Sequence, residues 1–415
     1  SRRFRDAAGP AGSGRERCWF PDPIGAEDCY RAELPDALLL VPASCPSVAG
    51  GVHGARERPD QRELVGLGVH AAEMVEIVER VNQAAPTWRL RGFGPEGESA
   101  RGPVLDELIT DRSDASGTGY WSAATGSYRP DLVELALGHQ AMLPEVIGPA
   151  DAAGTTPEGL LISAGTGETM AAAFGLGVQQ GDAVVSLGAS GSVMAVHHEA
   201  LVDPSGTITS LADATGMHLP VVHTLNAVRA LRGTAEMLGL PDLEALSDLA
   251  LKSTPGAHGL VLLPYLEGEK TPSLPHAAGT LTGLRRESMK PEHLARAAFE
   301  GMLCGLGDAL DVLRGRGVEV RRVFLLGPAA DLPAVRAMAP MLFGTQVVVV
   351  QPADYAAIGA ARQAAWALTG QLPLWQGAVS QVFEPGEELA VGQAVRQQYV
   401  TVREQAHPGA FSGTP

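Results

Sequence analysis

The sequence predicts an α/β protein whose parallel or mixed sheet is covered by helices. Two observations lead there. From about residue 160 to 370, β-rich runs alternate with helical patterns, and strand–helix–strand–helix order lays helices across a sheet. The chain also has 415 residues, 45% of them hydrophobic, at a mean hydropathy near zero, enough for two or three domains with large cores.

The elements follow in order. Residues 1–87 are rich in Arg, Pro and Gly and are read as unassigned and poorly ordered. "ALLLVPA" (37–43) is a lone apolar run there, and 64–85 carries one amphipathic helical face of Met74, Val75, Ile77, Val78 and Val81. "DAVVSLG" (182–188) and "SVMAVHH" (192–198), joined by "ASG", predict a hairpin. The clearest helix is 290–317. Pro291 opens it, Gly315 or Gly317 closes it, and Leu294, Ala298, Met302, Leu306, Leu310 and Leu313 form a core stripe. A strand at 321–327, a helix within 332–343, a strand at 345–351 and a helix at 355–370 complete the pattern. The turn-rich segment 371–415 is read as a tail.

Composition excludes several functions. A net charge of −16 argues against a nucleic-acid binder, which presents a basic face. Cys18, Cys29, Cys45 and Cys304 contain no C-x-x-C pair, which argues against a zinc site and fits free thiols in a reducing compartment. No apolar run reaches the ~18 residues of a membrane span, and the Arg-containing start lacks a continuous apolar h-region. A cytoplasmic chain with no membrane partner is expected.

Three glycine-containing turns follow apolar leads: Gly165–Gly167, Gly188–Gly191 and the one from Gly327 onward. Each alone is a turn device; in one α/β domain, three suit loops converging on a phosphate-bearing ligand. Neither a P-loop nor a Rossmann fingerprint is present. The first turn meets a single acid, Glu168, where an anionic ligand would sit.

Five ordered stretches carry a resemblance: "SAGTGETMAAAFGLG", "VVSLGASGSVMAV", "LLPYLEGEKTPSLPHAAGTLTGL", "LARAAFEGMLCGL" and "VFLLGPAADLPAVRAMAPMLFGTQVVV…AAIGAA". Together they resemble the C-terminal half of the FGGY carbohydrate kinases. "TDRSDASGTGYWSAATGSYRPDLVELALG" (110–138) resembles that family's late N-terminal-domain segment. The resemblance covers roughly 87–370 and implies an actin-like ATPase (ribonuclease H-like) fold. On this reading 88–150 is a remnant of the first domain, which is incomplete, and 160–370 is the complete second domain.

The resemblance implies ATP-dependent phosphorylation of a pentulose such as D-xylulose, with Mg²⁺. Small-molecule sugar and ATP are the implied partners, with a homodimer as the assembly. Glu168 takes the place of the family's aspartate general base, with Gly167 and Thr169 beside it at the sugar. Gly188, Ala189, Ser190 and Gly191 stand where relatives hold ATP phosphates. Gly327, Pro328 and Ala329 stand where relatives place a Gly-Gly-Gly turn against the nucleoside. No metal ligand is assigned. The "PYLEGEKTP" stretch (264–272) is read as structural, with Glu269 and Lys270 as a solvated pair.

The sequence departs from the family pattern at identifiable points. Glu168 adds a methylene, Ala189 removes a threonine hydroxyl, and Pro328 removes a backbone N–H. The Asp-x-Gly-Thr strand and the Gln-His-Gly type sugar-contacting segment are not found. These departures keep a second reading open, a degenerate or truncated non-catalytic relative that at most binds nucleotide.

Overall fold

The computed structural model describes residues 37–38, 108–155, 159–375 and 379–411. The remainder of 1–87, with the helix expected within 64–85, lies outside the described residues.

The first strands and helices are β1 (Ala37–Leu38), β2 (Ile109–Asp111), α1 (Arg112–Gly117), β3 (Trp121–Ser122), β4 (Ser127–Tyr128), α2 (Pro130–Leu137) and β5 (Glu145–Ile147). Then come β6 (Ala152–Thr155), β7 (Leu161–Ser163), α3 (Glu168–Leu176), β8 (Gly181–Leu187), β9 (Gly191–Ala195), β10 (Ile208–Ala212) and β11 (His218–Thr224). The chain continues through α4 (Val228–Met237), α5 (Leu243–Ala250), β12 (Val261–Leu263), β13 (Thr280–Thr282) and α6 (Pro291–Gly315). It closes with β14 (Val320–Leu326), α7 (Pro333–Phe343), β15 (Gln346–Val350), α8 (Tyr355–Thr369), β16 (Val379–Phe383) and α9 (Leu389–Ala406).

A seven-stranded mixed sheet, ordered β10-β11-β9-β8-β14-β15-β16, carries the fold. β8, β14 and β15 are parallel, and β8–β9 is the expected hairpin, with Val184 opposite Met194. Strand residues alternate between two buried faces, which is why these strands read as continuous apolar runs. Val184, Phe324 and Val348 face one core with Met170 and Phe174 of α3 and Tyr355 of α8. Val185, Val323, Leu325 and Val347 face the other, filled by Phe299, Met302, Leu306 and Leu310 of α6.

The two glycines in "AFGLG" and "AAIGAA" explain how α3 and α8 pack. A Cβ on Gly175 would lie 2.0 Å from the Tyr355 carbonyl oxygen, and one on Gly359 would lie 1.9 Å from that of Ala171. Only hydrogen at both positions lets the backbones touch. Arg362 fastens the pair, stacking 4.2 Å over the Phe174 ring and donating to its carbonyl at 2.6 Å.

The tail reading of 371–415 is corrected by the structure. β16 pairs antiparallel with β15, Val348 opposite Val382. α9 docks on α7 and α6 and buries Val395, Tyr399 and Arg403. The turn residues mark only its connections. Its buried face is joined partly through charge, with Arg396 and Arg403 both reaching Asp308 of α6. Gly392 allows the contact, since a Cβ there would lie 2.0 Å from the Met341 carbonyl oxygen.

Candidate functional site

β7 ends at Ser163, and residues 164–167 turn the chain into α3. Gly165 takes φ +83°, a left-handed conformation that suits glycine. Gly167 is the N-cap residue and Glu168 the first helical residue. The Gly167 N–H donates to Ser113 Oγ at 2.7 Å, and Ser113 Oγ lies 3.0 Å from Thr166 Oγ1. Ser113 Oγ in turn donates to Asp111, which caps α1 by accepting from the Ser113 and Asp114 amides at 2.7 and 3.1 Å. This buried chain pins α1 against the entrance of α3. Glu168 and Thr169 are exposed, and the Glu168 carboxylate has no hydrogen bond or ion pair among the described residues. The helix start supplies a favourable field for its charge.

Asp111, Ser113 and Asp114 are site residues to which the sequence reading gave no role. Their signal is the Asp-x-Ser-Asp spacing of a helix cap. Burial first, then the charge of Asp111, pushes the Asp114 carboxyl up from an ordinary 3.8 to about 6. A carboxyl that holds its proton more tightly when folded contributes stability below pH 3.8 and loses it as pH rises through about 6. The side of Asp114 open to solvent reduces the size of the effect. Asp114→Asn is therefore expected to flatten the decline of Tm across that window and to raise Tm at neutral pH. An unchanged slope of Tm against pH would refute this.

Two of the glycine turns meet at one end of the sheet's central strands. β8 and β14 are parallel and in register, so both end there, and Gly188–Gly191 adjoins Gly327–Ala329. Gly327 has φ +96°, and a Cβ on it would lie 2.7 Å from the Leu187 carbonyl oxygen. A Cβ on Gly191 would meet Thr224 Oγ1 at 2.5 Å and Leu306 Cδ2 at 2.7 Å. Ala189 and Ser190 form the exposed tip, while Pro328 is exposed and Ala329 buried. The carbonyls of Gly188 and Ala189 accept from the amides of Val228 and Ala227, which seats the first turn against the start of α4.

The solvated-pair reading of Glu269 is corrected here. Glu269 is 4% exposed and accepts from the Leu225 N–H and, at 3.1 Å, from Asn226 Nδ2. Asn226 Nδ2 also donates to the Gly268 carbonyl at 2.8 Å. Lys270 meets this carboxylate only through its backbone N–H, at 2.7 Å, while its side chain is exposed. Residues 225 and 226 lead directly into the α4 start that holds the 188–191 turn. Glu269 thus supports that turn from below, a role that only the tertiary approach of 264–272 to 223–226 reveals.

The structure brings the two turns together and sets Gly167, Glu168 and Thr169 at the head of α3, whose following residues pack on the same sheet. No hydrogen bond among the described residues joins Glu168 to either turn. At Gly191 and Gly327 protein atoms already occupy the place of a Cβ, so these glycines serve the packing of the turns, while the Ala189 and Ser190 amides have no backbone partner among the described residues. Pro328 offers no N–H to this set. For Mg²⁺, no three His, Cys, Asp or Glu groups converge at α3 or at the turns among the described residues.

The C-terminal domain profile of the FGGY family of carbohydrate kinases matches residues 183–368. The chain is 40% identical over 296 residues to xylulose kinase of Streptomyces rubiginosus, covering 67% of this chain and 59% of the relative. It is 33% identical over 342 residues to xylulose kinase of Escherichia coli strain K12, covering 76% of this chain and 67% of the relative. The crystal structure of xylulose kinase from Bifidobacterium adolescentis superposes with a TM-score of 0.67 at 38% identity, covering 75% of this chain and 65% of that one. The chain thus spans about three fifths of the length of the first of these relatives. The architecture is the actin-like ATPase fold expected from the sequence. Among the described residues no helix is long and apolar enough to cross a membrane. With a matching family profile and ordered identity across both sets of relatives, the chain belongs to the FGGY family of carbohydrate kinases.

Proposed function

We propose that the chain is an ATP-dependent sugar kinase that phosphorylates a pentulose such as D-xylulose to its 5-phosphate. The observation that carries this reading is the carboxylate of Glu168 at the first turn of α3, a helix packed on the sheet whose parallel strands β8 and β14 lead into the two glycine turns. The xylulose kinase relatives support the sugar class. Glu168 accepts the proton of the attacking hydroxyl, Gly167 and Thr169 border the sugar, and the two turns hold the nucleotide. ATP supplies the phosphoryl group: the sugar oxygen bonds to the γ-phosphorus as its bond to the β–γ bridging oxygen breaks, and ADP leaves. Mg²⁺ belongs to the same reading, held by phosphates and water as is usual for this ion. A reaction that consumes ATP suits a cytoplasmic chain. A homodimer would be seen as twice the chain mass in light scattering.

A second reading, a nucleotide-binding relative without turnover, is favoured by Pro328, Ala189 and the unsupported carboxylate of Glu168. Calorimetry with ADP and an ADP-release assay with D-xylulose, ATP and Mg²⁺ separate the two. The kinase reading expects sugar-dependent ADP release. Binding without release supports the second reading, and absence of both at millimolar nucleotide rejects both.

The turns make a further expected result specific. Gly327→Ala should abolish nucleotide binding, because the added methyl meets the Leu187 carbonyl at a φ that disfavours side chains. Pro328→Gly restores an amide donor and should tighten binding by about 1.5–3 kcal/mol, the worth of a hydrogen bond to a charged group. Equal affinity for all three proteins would remove the nucleotide from these turns.

A further inference from the structure

The segment His197-His198-Glu199 leaves β9 at the end opposite the 188–191 turn. Six residues at about 3.3 Å each separate it from Gly191, so it lies roughly 20 Å from the proposed nucleotide. Nothing in a phosphoryl transfer requires imidazoles there. One ligand atom from each of His197, His198 and Glu199 can be chosen so that all three lie within 4.8 Å of one another. The two rings are 4.5 Å apart at 56°, and His198 Nε2 is 3.7 Å from Glu199 Oε1.

Local structure holds this group in place. The backbones of His197 and His218 exchange two hydrogen bonds of 3.0 Å, which locks the His197 main chain. That pairing also sets the His218 ring on the same face of the sheet as His197. His218 Nδ1 is buried with no hydrogen-bond partner. The Gln180 side-chain amide lies 3.4 Å from His198 Nδ1. It is the amide nitrogen, Nε2, that faces Nδ1, and only a half-turn exchanging it with the oxygen would let the amide accept the Nδ1 proton and leave the His198 Nε2 lone pair free.

We infer that His197, His198 and Glu199 form a binding site for a zinc-like divalent cation, separate from the phosphoryl-transfer site. Two imidazoles and a carboxylate are a donor set for zinc and similar borderline metals, whereas Mg²⁺ takes oxygen ligands. His197 is buried, while the His198 and Glu199 side chains are 56% and 75% exposed. The ion would be reached from solvent and keep a water as its fourth ligand. The missing C-x-x-C pair argues only against a site made of thiolates.

The test uses the full chain without a histidine tag. Zn²⁺ is titrated by calorimetry, and Co²⁺ by its visible absorption, in the presence of millimolar Mg²⁺. One equivalent of Zn²⁺ should bind, and Co²⁺ should give the strong absorption of a four-coordinate ion. His198→Ala and Glu199→Gln, both at exposed positions, should each weaken binding about tenfold or more. No uptake of Zn²⁺, displacement by Mg²⁺, or undiminished affinity in the His198→Ala/Glu199→Gln double variant would overturn the assignment.

Discussion

Glu168→Gln is expected to lower D-xylulose-dependent ADP release by roughly 10²–10⁴-fold, the usual contribution of a positioned general base. Glutamine keeps the length and the place at the start of α3 but cannot take the hydroxyl proton. Glu168→Asp is expected to stay within about tenfold of the parent chain. The reason lies in the surroundings of Glu168, which is exposed and has no hydrogen bond among the described residues. No fixed geometry exists for a shorter side chain to restore, and phosphoryl transfer depends mainly on how phosphates are placed and neutralised. Steady-state ADP release, compared with calorimetric affinity for ADP, is the measurement. An unchanged rate in the Gln variant would exclude Glu168 as the base. A large gain from Glu168→Asp would show that the length of this side chain limits the rate.

Asp308→Ala is expected to destabilise the fold by about 3–5 kcal/mol, the range for breaking a buried ion pair. Asp308 is 5% exposed on α6, where Arg396 lies 3.0 Å away and Arg403 pairs with its other oxygen. Burial raises the Asp308 carboxyl above the ordinary carboxylate range despite the two guanidinium groups beside it. Removing the carboxylate leaves Arg396 and Arg403 only the more exposed carboxylates of Asp311 and Glu404 as ion-pair partners among the described residues. Urea unfolding should show the loss as a lower midpoint at an unchanged slope. Limited proteolysis should then find new cuts between α8 and α9 as α9 undocks. A change below about 1 kcal/mol would mean that the network behaves like a solvated surface pair.

The central domain was legible because its signals are local. Apolar runs such as "QVVVV" fill strands buried on both faces. The 290–317 pattern repeats with helical period, and Gly317 follows the helix end at φ +81°. The three glycine turns were legible because glycine marks places where backbone must approach closely. The resemblance assigned their roles, which periodicity alone does not.

Other parts depended on partners distant in sequence. Charged residues read as solvated unless a partner is known, and those of Glu269 lie 43 and 44 residues away, at Asn226 and Leu225. The same reason hid α9, whose Arg403 meets Asp308 across 95 residues, so a docked helix read as a tail. Asp111 and Ser113 had no role in the sequence reading, because the Gly167 amide that donates to the Ser113 hydroxyl lies 54 residues on. The sequence by itself determined the 182–198 hairpin, the order of strands and helices from 290 to 370, the glycine turns and Glu168, since each rests on spacing along the chain. Only the tertiary structure decided which charges are buried, what holds the turns, and that the last helix is part of the core. A buried carboxylate is stable only through donors that the fold delivers to it, and nothing in its own stretch of sequence names them.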